Sequence, residues 1–405
     1  MKLLIWSDSV CASTGFARAA KTICAALPDW DITQVGINHP SALTEHPRVR
    51  IYPTSRDDVT GTELARQLYL EKDFDLFIVL QDLHITHKVA KVFEAARGLR
   101  RRRHKKPCPV LYHFPVDGPM LDDAGFMAFA DYNISCTRWG VSVLRPHIEQ
   151  MSYASPEPVF VQTLPYSTDP KVFTPMPEDE RLTLRSKLFG ISPSDSTLAI
   201  MVIGTNIGRK DLFTSLRALK LFNEESPRGK MYLHTRPEFS GLSIWAQVQA
   251  LDISRLSYQV ADPSLIDCDD ETLNQYYNVA DVLLSTARRE GFGIPVIEAM
   301  AAGTVVLAPN YGPFKELLCE GEYGLLHQTH GLTHWARGDN RGPGWQSSAE
   351  TVALHLAHIQ EGLKEAPEAY EERRDAARQH VIDNYSEEVV QAKWQQMIGG
   401  ICHGS

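Results

Sequence analysis

Two carboxylates flank a glycine-rich turn in residues 289–303, REGFGIPVIEAMAAG. The residues after Pro295 favour a helix and proline is tolerated in a first helical turn, so Glu290 should precede a helix and Glu298 should lie about one turn inside it. Gly291 and Gly293 lack a Cβ atom, which lets their backbone pass close to a ligand at the positive end of the helix dipole. The spacing therefore predicts an anion site with a carboxylate on either side.

A basic pair follows a predicted strand in residues 202–212, VIGTNIGRKDL. Gly204 is expected in a turn, and Arg209 and Lys210 come just before the next predicted helix. Two neighbouring cations can neutralise the charge of an anionic ligand or leaving group without the help of a metal ion. The alternative is a tight turn with a solvated basic pair.

Two loops near the N-terminus hold further candidates. The segment SDSVCASTGFARA joins the first strand to the first helix and contains Gly15; it lacks a GxGxxG pattern, which disfavours a dinucleotide site. The segment LYHFPVDGP, residues 111–119, follows a strand and contains His113 and Asp117. Each has an ordinary alternative: a plain strand–helix loop, a core histidine and a plain turn.

One strong charge run, RGLRRRRHKKP, occupies residues 97–107. Its arginines Arg101, Arg102 and Arg103 are candidates for binding a polyanionic acceptor. The alternative is a solvated helix end, where cations complement the helix dipole. A short acidic stretch, DCDD at 267–270, favours helix capping over metal binding because a helical pattern follows it, so no metal site is predicted there.

Composition limits the class of protein. The chain has 405 residues, enough for two or three domains, and a formal net charge of −9, which argues against a nucleic-acid coat or a membrane-surface binder. Its seven cysteines are scattered without a CxxC spacing, which favours a reducing cytoplasm. The opening MKLLIWSDS is too short for a signal peptide, and no apolar run approaches the length of a membrane span.

Apolar strands and amphipathic helices alternate in two series, which predicts two parallel sheets covered on both faces. The first series has strands at residues 2–6, 32–37, 75–80 and 110–113, and helices at 16–27 and 89–99. The second has strands at 197–203, 230–235, 256–260, 282–285 and 305–308, and helices at 212–222, 273–280 and 298–302. Residues 329–348 are predicted to be a loop, and residues 350–400 long helices.

The order of strand 282–285, EGFGIP, EAMAAG and strand 305–308 resembles the retaining, nucleotide-sugar-dependent glycosyltransferases of family four, the glycosyl transferases group 1. The resemblance is strongest over residues 197–326. It implies an α/β protein of the GT-B fold, with two Rossmann-like doubly wound domains facing across a cleft. The expected division is an acceptor domain at 1–170, a linker at 171–185, a nucleotide-sugar domain at 186–380, and a C-terminal helix at 381–405 that crosses back to the first domain.

The resemblance also implies roles for single residues. Glu298 would hold the ribose hydroxyls, Glu290 would lie beside the transferred sugar, and the amides of residues 291–293 would face the diphosphate or the sugar. Gly204 and Lys210 match the family's phosphate-binding pattern, but Thr205 stands where the family has an arginine, so Arg209 is expected to supply that charge. The resulting donor-binding set is Gly15, Gly204, Thr205, Arg209, Lys210, Gly291, Phe292, Gly293, Ile294 and Glu298; the catalytic set is Glu290, Asp117 and His113, of which either of the last two would orient the acceptor.

The implied reaction is retaining transfer of a hexosyl or pentosyl group from a nucleotide-diphosphate sugar, a co-substrate, with no obligate cofactor or metal. The first domain resembles phage and prokaryotic members, so a hydroxymethylated base in phage DNA is one acceptor and the host cytoplasm one location. A surface polysaccharide or lipid-linked glycan is the alternative acceptor. A non-catalytic sugar-nucleotide binder is the other function considered.

Overall fold

The computed structural model describes residues 1–40, 46–119, 125–154, 161–224, 228–335 and 342–403. The chain divides into two compact units, one of residues 1–117, 121–167 and 387–405, the other of residues 118–120 and 168–386. The functional division of the chain stays a prediction: an acceptor domain at 1–170, a linker at 171–185, a donor domain at 186–380, and a helix at 381–405 that crosses back to the first domain. Among the described residues, no helix combines the length and apolarity needed to cross a bilayer.

The first unit is built on a sheet of seven parallel strands in the order β3-β2-β1-β4-β5-β6-β7. The strands are β1 (Lys2–Asp8), β2 (Asp31–Ile37), β3 (Val49–Pro53), β4 (Leu76–Leu80), β5 (Val110–Phe114), β6 (Tyr132–Ser135) and β7 (Val161–Thr163). Its first five helices are α1 (Gly15–Ala26), α2 (Thr62–Glu71), α3 (Leu83–Arg102), α4 (Phe126–Phe129) and α5 (Arg138–Ala154).

The central strands of this sheet are mostly apolar because helices cover both of their faces. Every residue of β4 and β5 is buried. On one face the rings of Trp6 and Phe93 stack with centroids 5.5 Å apart, and Phe77 packs against Phe93 at 5.9 Å. Burying large rings in this way supplies much of the hydrophobic stabilisation of such a unit.

The second unit has a sheet of six parallel strands in the order β12-β9-β8-β13-β14-β15. Its strands are β8 (Leu198–Ile203), β9 (Gly229–His234), β12 (Tyr258–Val260), β13 (Val282–Leu284), β14 (Val305–Pro309) and β15 (Leu325–His327). Two hairpins add β10 (Glu238–Phe239) with β11 (Leu242–Ser243), and β16 (Thr329–Trp335) with β17 (Gly342–Ser347). The helices are α6 (Glu178–Phe189), α7 (Leu212–Phe222), α8 (Ile244–Ala250), α9 (Asp270–Val279), α10 (Ile294–Ala301), α11 (Gly312–Leu317), α12 (Ala349–Glu365) and α13 (Pro367–Tyr385).

The last helix, α14 (Glu387–His403), belongs to the first unit. It packs along α1, where the Gln395 side-chain amide donates to the carbonyl oxygen of Ala26 at 2.9 Å. The preceding helix α13 stays in the second unit, where Arg378 donates to the carbonyl oxygens of Pro170 and Phe173, each at 2.9 Å.

The predicted loop at 329–348 is wrong, because β16 and β17 form an antiparallel hairpin there. Trp345 explains the difference: its ring stacks on Tyr311 with centroids 4.2 Å apart, and its backbone N–H donates to the Arg288 carbonyl at 3.0 Å. Such tertiary contacts stabilise strands that glycine-rich composition does not favour. Strands β3, β7 and β15 were not expected from the sequence either, because they are short and lie at or next to a sheet edge.

Candidate active site

The strand order of the second sheet reverses between β8 and β13, which lie side by side although strands β9 to β12 and helices α7 to α9 separate them in sequence. The chain leaves β8 into residues 204–210 and leaves β13 into residues 285–293. In open doubly wound sheets, ligands bind outside the carboxyl ends of the strands at such a point. Both predicted donor segments therefore meet where the fold provides a site.

Glu290 is held between the two predicted cations at this edge. The Lys210 ammonium donates to Glu290 Oε2, and Arg209 Nη1 lies 3.6 Å from Glu290 Oε1. Arg209 also donates to the Arg289 carbonyl at 3.1 Å. Burial raises the pKa of Glu290, but Lys210, Arg209 and the hydrogen bonds outweigh it, so the pKa is lowered and the group is a carboxylate at neutral pH.

The glycine turn has the geometry that its sequence predicts. Gly293 has φ 101°, a left-handed conformation that favours glycine, and α10 begins at the next residue with Pro295 in its first turn. The Gly291 N–H donates to Glu290 Oε1 at 3.3 Å. Phe292 is buried and packs edge-to-face on Tyr385, with ring centroids 5.9 Å apart, whereas Ile294 is half-buried.

Glu298 lies within α10 and is only 2% exposed. The Tyr277 hydroxyl, on α9, donates to Glu298 Oε2 at 2.7 Å. Tyr277 is itself fully buried and packs edge-to-face on Phe173 at 5.9 Å. Sequence reasoning missed this tyrosine, because nothing local to α9 marks a partner 21 residues away in the chain.

The segment after β8 is shaped by Gly204 and Asp211. Gly204 has φ 141°, and a Cβ atom there would lie 3.4 Å from Lys210 Cε, so the lysine side chain runs beside it. Thr205 is exposed. The Asp211 carboxylate, which sequence reasoning missed, accepts from Arg288 Nε at 2.9 Å and from the Gln346 amide at 3.1 Å. It thereby ties the Lys210 turn to the segment after β13 and to β17.

In the first unit, Gly15 is the first residue of α1. Thr14 caps this helix by accepting from the Ala17 N–H at 3.2 Å, and its hydroxyl donates to Asp8 at the end of β1. Asn38 donates to the other Asp8 oxygen at 3.1 Å. Burial raises the pKa of Asp8, and these two hydrogen bonds oppose the rise. Asp8 is a polar residue at the carboxyl edge that sequence reasoning missed.

His113 is fully buried, whereas Asp117 is half-buried beyond the carboxyl end of β5. His113 Nε2 lies 2.8 Å from the Leu164 carbonyl oxygen, and the ring meets Trp394 edge-to-face at 5.3 Å. Burial lowers the His113 pKa to about 4, against the effect of the Leu164 hydrogen bond, so the imidazole is neutral at physiological pH. These contacts are those of a core histidine; an acceptor role for His113 or Asp117 stays a prediction.

The basic run lies at the opposite edge of the first sheet from Gly15 and Asp117. Arg101 and Arg102 end α3 and Arg103 follows it, on the side where β4, β5 and β6 begin, and all three are exposed. The structure therefore does not bring them together with the residues at the carboxyl edge. Their acceptor role stays a prediction.

The acidic stretch 267–270 caps a helix. Asp269 Oδ1 accepts from the Thr272 N–H at 2.8 Å at the start of α9, and Asp267 pairs with Arg236 at 3.1 Å. The capping interpretation is confirmed. Among the described residues, no group of three or more histidines, cysteines, aspartates or glutamates is arranged to hold a metal ion.

Comparison with known proteins places this geometry in a family. Residues 265–338, which contain Glu290 and Glu298, match the model of the family described as glycosyl transferases group 1. This segment is similar to the glycosyl transferases group 1. The predicted resemblance to the glycosyl transferases group 1 is confirmed for these residues, while the retaining mechanism and the phage type stay predictions.

Known relatives and structures agree with that assignment. The D-inositol 3-phosphate glycosyltransferase of Thermobispora bispora is 26% identical over 265 residues, which are 63% of this chain and 55% of the relative, so the chain spans about half of that relative's length. Sucrose-phosphate synthase from Thermosynechococcus elongatus superimposes with a TM-score of 0.72 at 16% identity, covering 100% of this chain and 99% of its own. Anabaena HepE, solved in complex with UDP-glucose, gives 0.68 at 15% identity, covering 99% and 100%. At these identities the likeness concerns the fold, and the predicted α/β GT-B fold, with two parallel-sheet units, is confirmed.

Proposed function

We propose that this protein is a retaining glycosyltransferase that moves a sugar from a nucleoside diphosphate sugar to an acceptor hydroxyl. The observation that carries the proposal is the arrangement around α10. Two carboxylates, Glu290 and Glu298, flank a glycine turn at a helix start, and Lys210 and Arg209 converge on the first of them. A diphosphate with a sugar on one side and a ribose on the other matches that order of charges.

The donor that we propose is a UDP-sugar, since the Anabaena neighbour was solved with UDP-glucose. Glu298 would accept hydrogen bonds from the ribose hydroxyls, with its carboxylate oriented by Tyr277. The amides of Gly291 and Gly293 would face the diphosphate. Glu290 would accept from a hydroxyl of the transferred sugar, because it is ionised and can only accept.

The Lys210–Glu290 pair implies an exchange of partners when the donor binds. With no diphosphate present, the Lys210 ammonium is neutralised by Glu290. A diphosphate supplies stronger negative charge, so Lys210 would turn towards it and release Glu290 to the sugar hydroxyls. Arg209, anchored on the Arg289 carbonyl, would keep its guanidinium near both groups.

In the proposed step, the bond between the anomeric carbon and the diphosphate oxygen breaks while the acceptor oxygen bonds to that carbon on the same face. The acceptor proton passes to an oxygen of the departing diphosphate. Lys210 and Arg209 would stabilise the charge that develops there, which commonly contributes several kcal/mol to such a step. Retention then requires no carboxylate nucleophile.

For the acceptor we propose a hydroxyl of a glycan or polyol rather than a hydroxymethylated DNA base. The DNA alternative rests on the resemblance of the first domain to phage members and on the basic run, and this run is at the amino edge of the first sheet, away from Gly15 and Asp117. The curated relative is named for D-inositol 3-phosphate, a polyol derivative. An acceptor panel of polyols, sugars and hydroxymethylated DNA, followed by UDP release, tests this choice.

The donor site is tested by titrating UDP into wild type and Glu298→Gln. Glutamine keeps the size but loses a charge-assisted acceptor worth about 1.5–3 kcal/mol, so the affinity for UDP should fall by about tenfold or more. Glu361→Gln, an exposed position on α12, is the matched control and should bind UDP as wild type does. Unchanged affinity in Glu298→Gln would refute the assignment, and UDP-glucose hydrolysis by wild type separates an enzyme from a non-catalytic binder.

A further inference from the structure

The first unit contains a cavity of about 620 Å³ that the proposed reaction does not use. It lies at the amino edge of the sheet, where Asp75, Pro109 and Asp131 immediately precede β4, β5 and β6. The end of α3 and residues from α14 complete its walls. Its volume is within the range of pockets that hold small molecules.

The lining of this cavity is strongly basic. Five cationic side chains line it against two carboxylates, those of Asp75 and Asp131; the cations are Arg97, Arg100, Arg101, Lys105 and Lys106. Two of these positive charges are neutralised within the cavity, since Lys106 forms an ion pair with Asp75 and Arg97 forms one with Asp131 at 2.8 Å. Lys105 pairs with Asp73 at 3.3 Å.

Arg100 places a fixed positive charge in the wall. Its residue is only 3% exposed, and its guanidinium donates to the carbonyl oxygens of Tyr69, Lys72 and Lys106, the last two at 2.9 and 2.7 Å. Within the described part of the chain it forms no ion pair with a carboxylate. A buried cation that is hydrogen-bonded but not neutralised favours a bound counter-anion.

Arg101 adds a second cation without a carboxylate partner among the described residues. It follows Arg100 on α3, is exposed, and lines the cavity, whereas its neighbours Arg102 and Arg103 do not. Tyr132, 39% exposed, offers an aromatic ring in the same lining. The convergent charge is therefore confined to the cavity and does not continue along the whole basic run.

We propose that this cavity binds the phosphate group of a small phosphorylated ligand, at a site separate from the donor site of the second unit. Guanidinium groups match the oxygens of a phosphate in a forked geometry, and a doubly charged anion makes the best use of several converging cations. The limited volume favours a small molecule over a nucleic-acid backbone, which would also contact the exposed Arg102 and Arg103 outside the cavity.

Inorganic pyrophosphate, titrated calorimetrically into the full chain at low ionic strength, is the probe. The test variant is Arg101→Ala with Lys105→Ala, because removing Arg100 would strip three carbonyl oxygens of their donor and endanger the fold. The matched control is Lys88→Ala with Lys91→Ala, which removes the same charge from exposed positions earlier on α3. We expect about a tenfold or larger loss of pyrophosphate affinity in the test variant and less than about a twofold loss in the control.

The same titrations in a Lys210→Ala background separate this site from the donor site, which also binds phosphate groups if the proposed function is right. If the site lies at the amino edge, the pyrophosphate affinity still depends on Arg101 and Lys105 in that background, whether or not Lys210 contributes a second site. Equal binding by the test and control variants, or no pyrophosphate binding at all, overturns the proposal. A single-stranded oligothymidylate serves as the nucleic-acid probe. If it binds through Arg102 and Arg103, and pyrophosphate shows no site that depends on Arg101, the proposal is overturned in favour of a nucleic-acid ligand.

Discussion

Tyr277→Phe should lower both the stability of the second unit and its affinity for the proposed sugar-nucleotide donor. The substitution deletes only the hydroxyl that donates to Glu298 Oε2 at 2.7 Å, and neither residue is more than 2% exposed. Removing one partner of a buried hydrogen bond costs about 1–3 kcal/mol, so the free energy of unfolding should fall by about that amount. Tyr370→Phe, at a buried tyrosine whose hydroxyl makes no hydrogen bond to the described residues, is the control.

The loss of donor affinity should be smaller than the loss of stability. Without the hydrogen bond from Tyr277, the Glu298 side chain must be ordered by the ligand when it binds. Immobilising such a side chain costs about 0.5–1.5 kcal/mol, which corresponds to about a two- to tenfold increase in the dissociation constant of UDP. In a Glu298→Gln background, Tyr277→Phe should change that constant much less, because the oriented charge is already gone. Urea unfolding and UDP titration of the four proteins complete the cycle. Additive effects on UDP affinity would refute the idea that Tyr277 acts through Glu298.

Three further outcomes are expected. Lys210→Ala should lower turnover more than Arg209→Ala, by roughly a hundredfold against tenfold, because Lys210 is the cation proposed to leave Glu290 and stabilise the departing diphosphate. The opposite order in steady-state kinetics would shift the phosphate role to Arg209, and EDTA should leave turnover unchanged. Alanine at residues 101–103 should leave the acceptor KM unchanged at every salt concentration, whereas DNA contacts would give a log–log salt slope of about −0.9 per phosphate that the substitution flattens. The pKa of His113 is lowered from 6.5 to about 4 in the folded chain, so between these pH values the residue takes up a proton when the chain unfolds. The free energy of unfolding should therefore decrease as the pH is lowered from 6.5 to 4. His113→Gln should lose this part of the pH dependence of the urea unfolding midpoint. Parallel curves of midpoint against pH for wild type and the variant would contradict the prediction.

The core of the proposed donor site follows from local sequence. The glycines, the proline and the helix formers between Glu290 and Glu298 specify a turn and a helix start without help from distant residues, and the structure has both. The alternation of apolar strands and helices is equally local, because buried parallel strands must be apolar on both faces. Sequence therefore determined the α/β class, the family and the order of the two carboxylates about the turn.

The partners of those carboxylates were decided only by the tertiary structure. Lys210 is 80 residues from Glu290, and Tyr277 is 21 residues from Glu298; they meet because strand order brings β8 beside β13 and α9 beside α10. The same holds for the first unit, where a charge run suited to an acceptor surface lies instead at the amino edge, since α3 runs from the carboxyl end of β4 back to the start of β5. Composition records which charges a segment carries, but the direction of the crossover decides which edge of the sheet they reach.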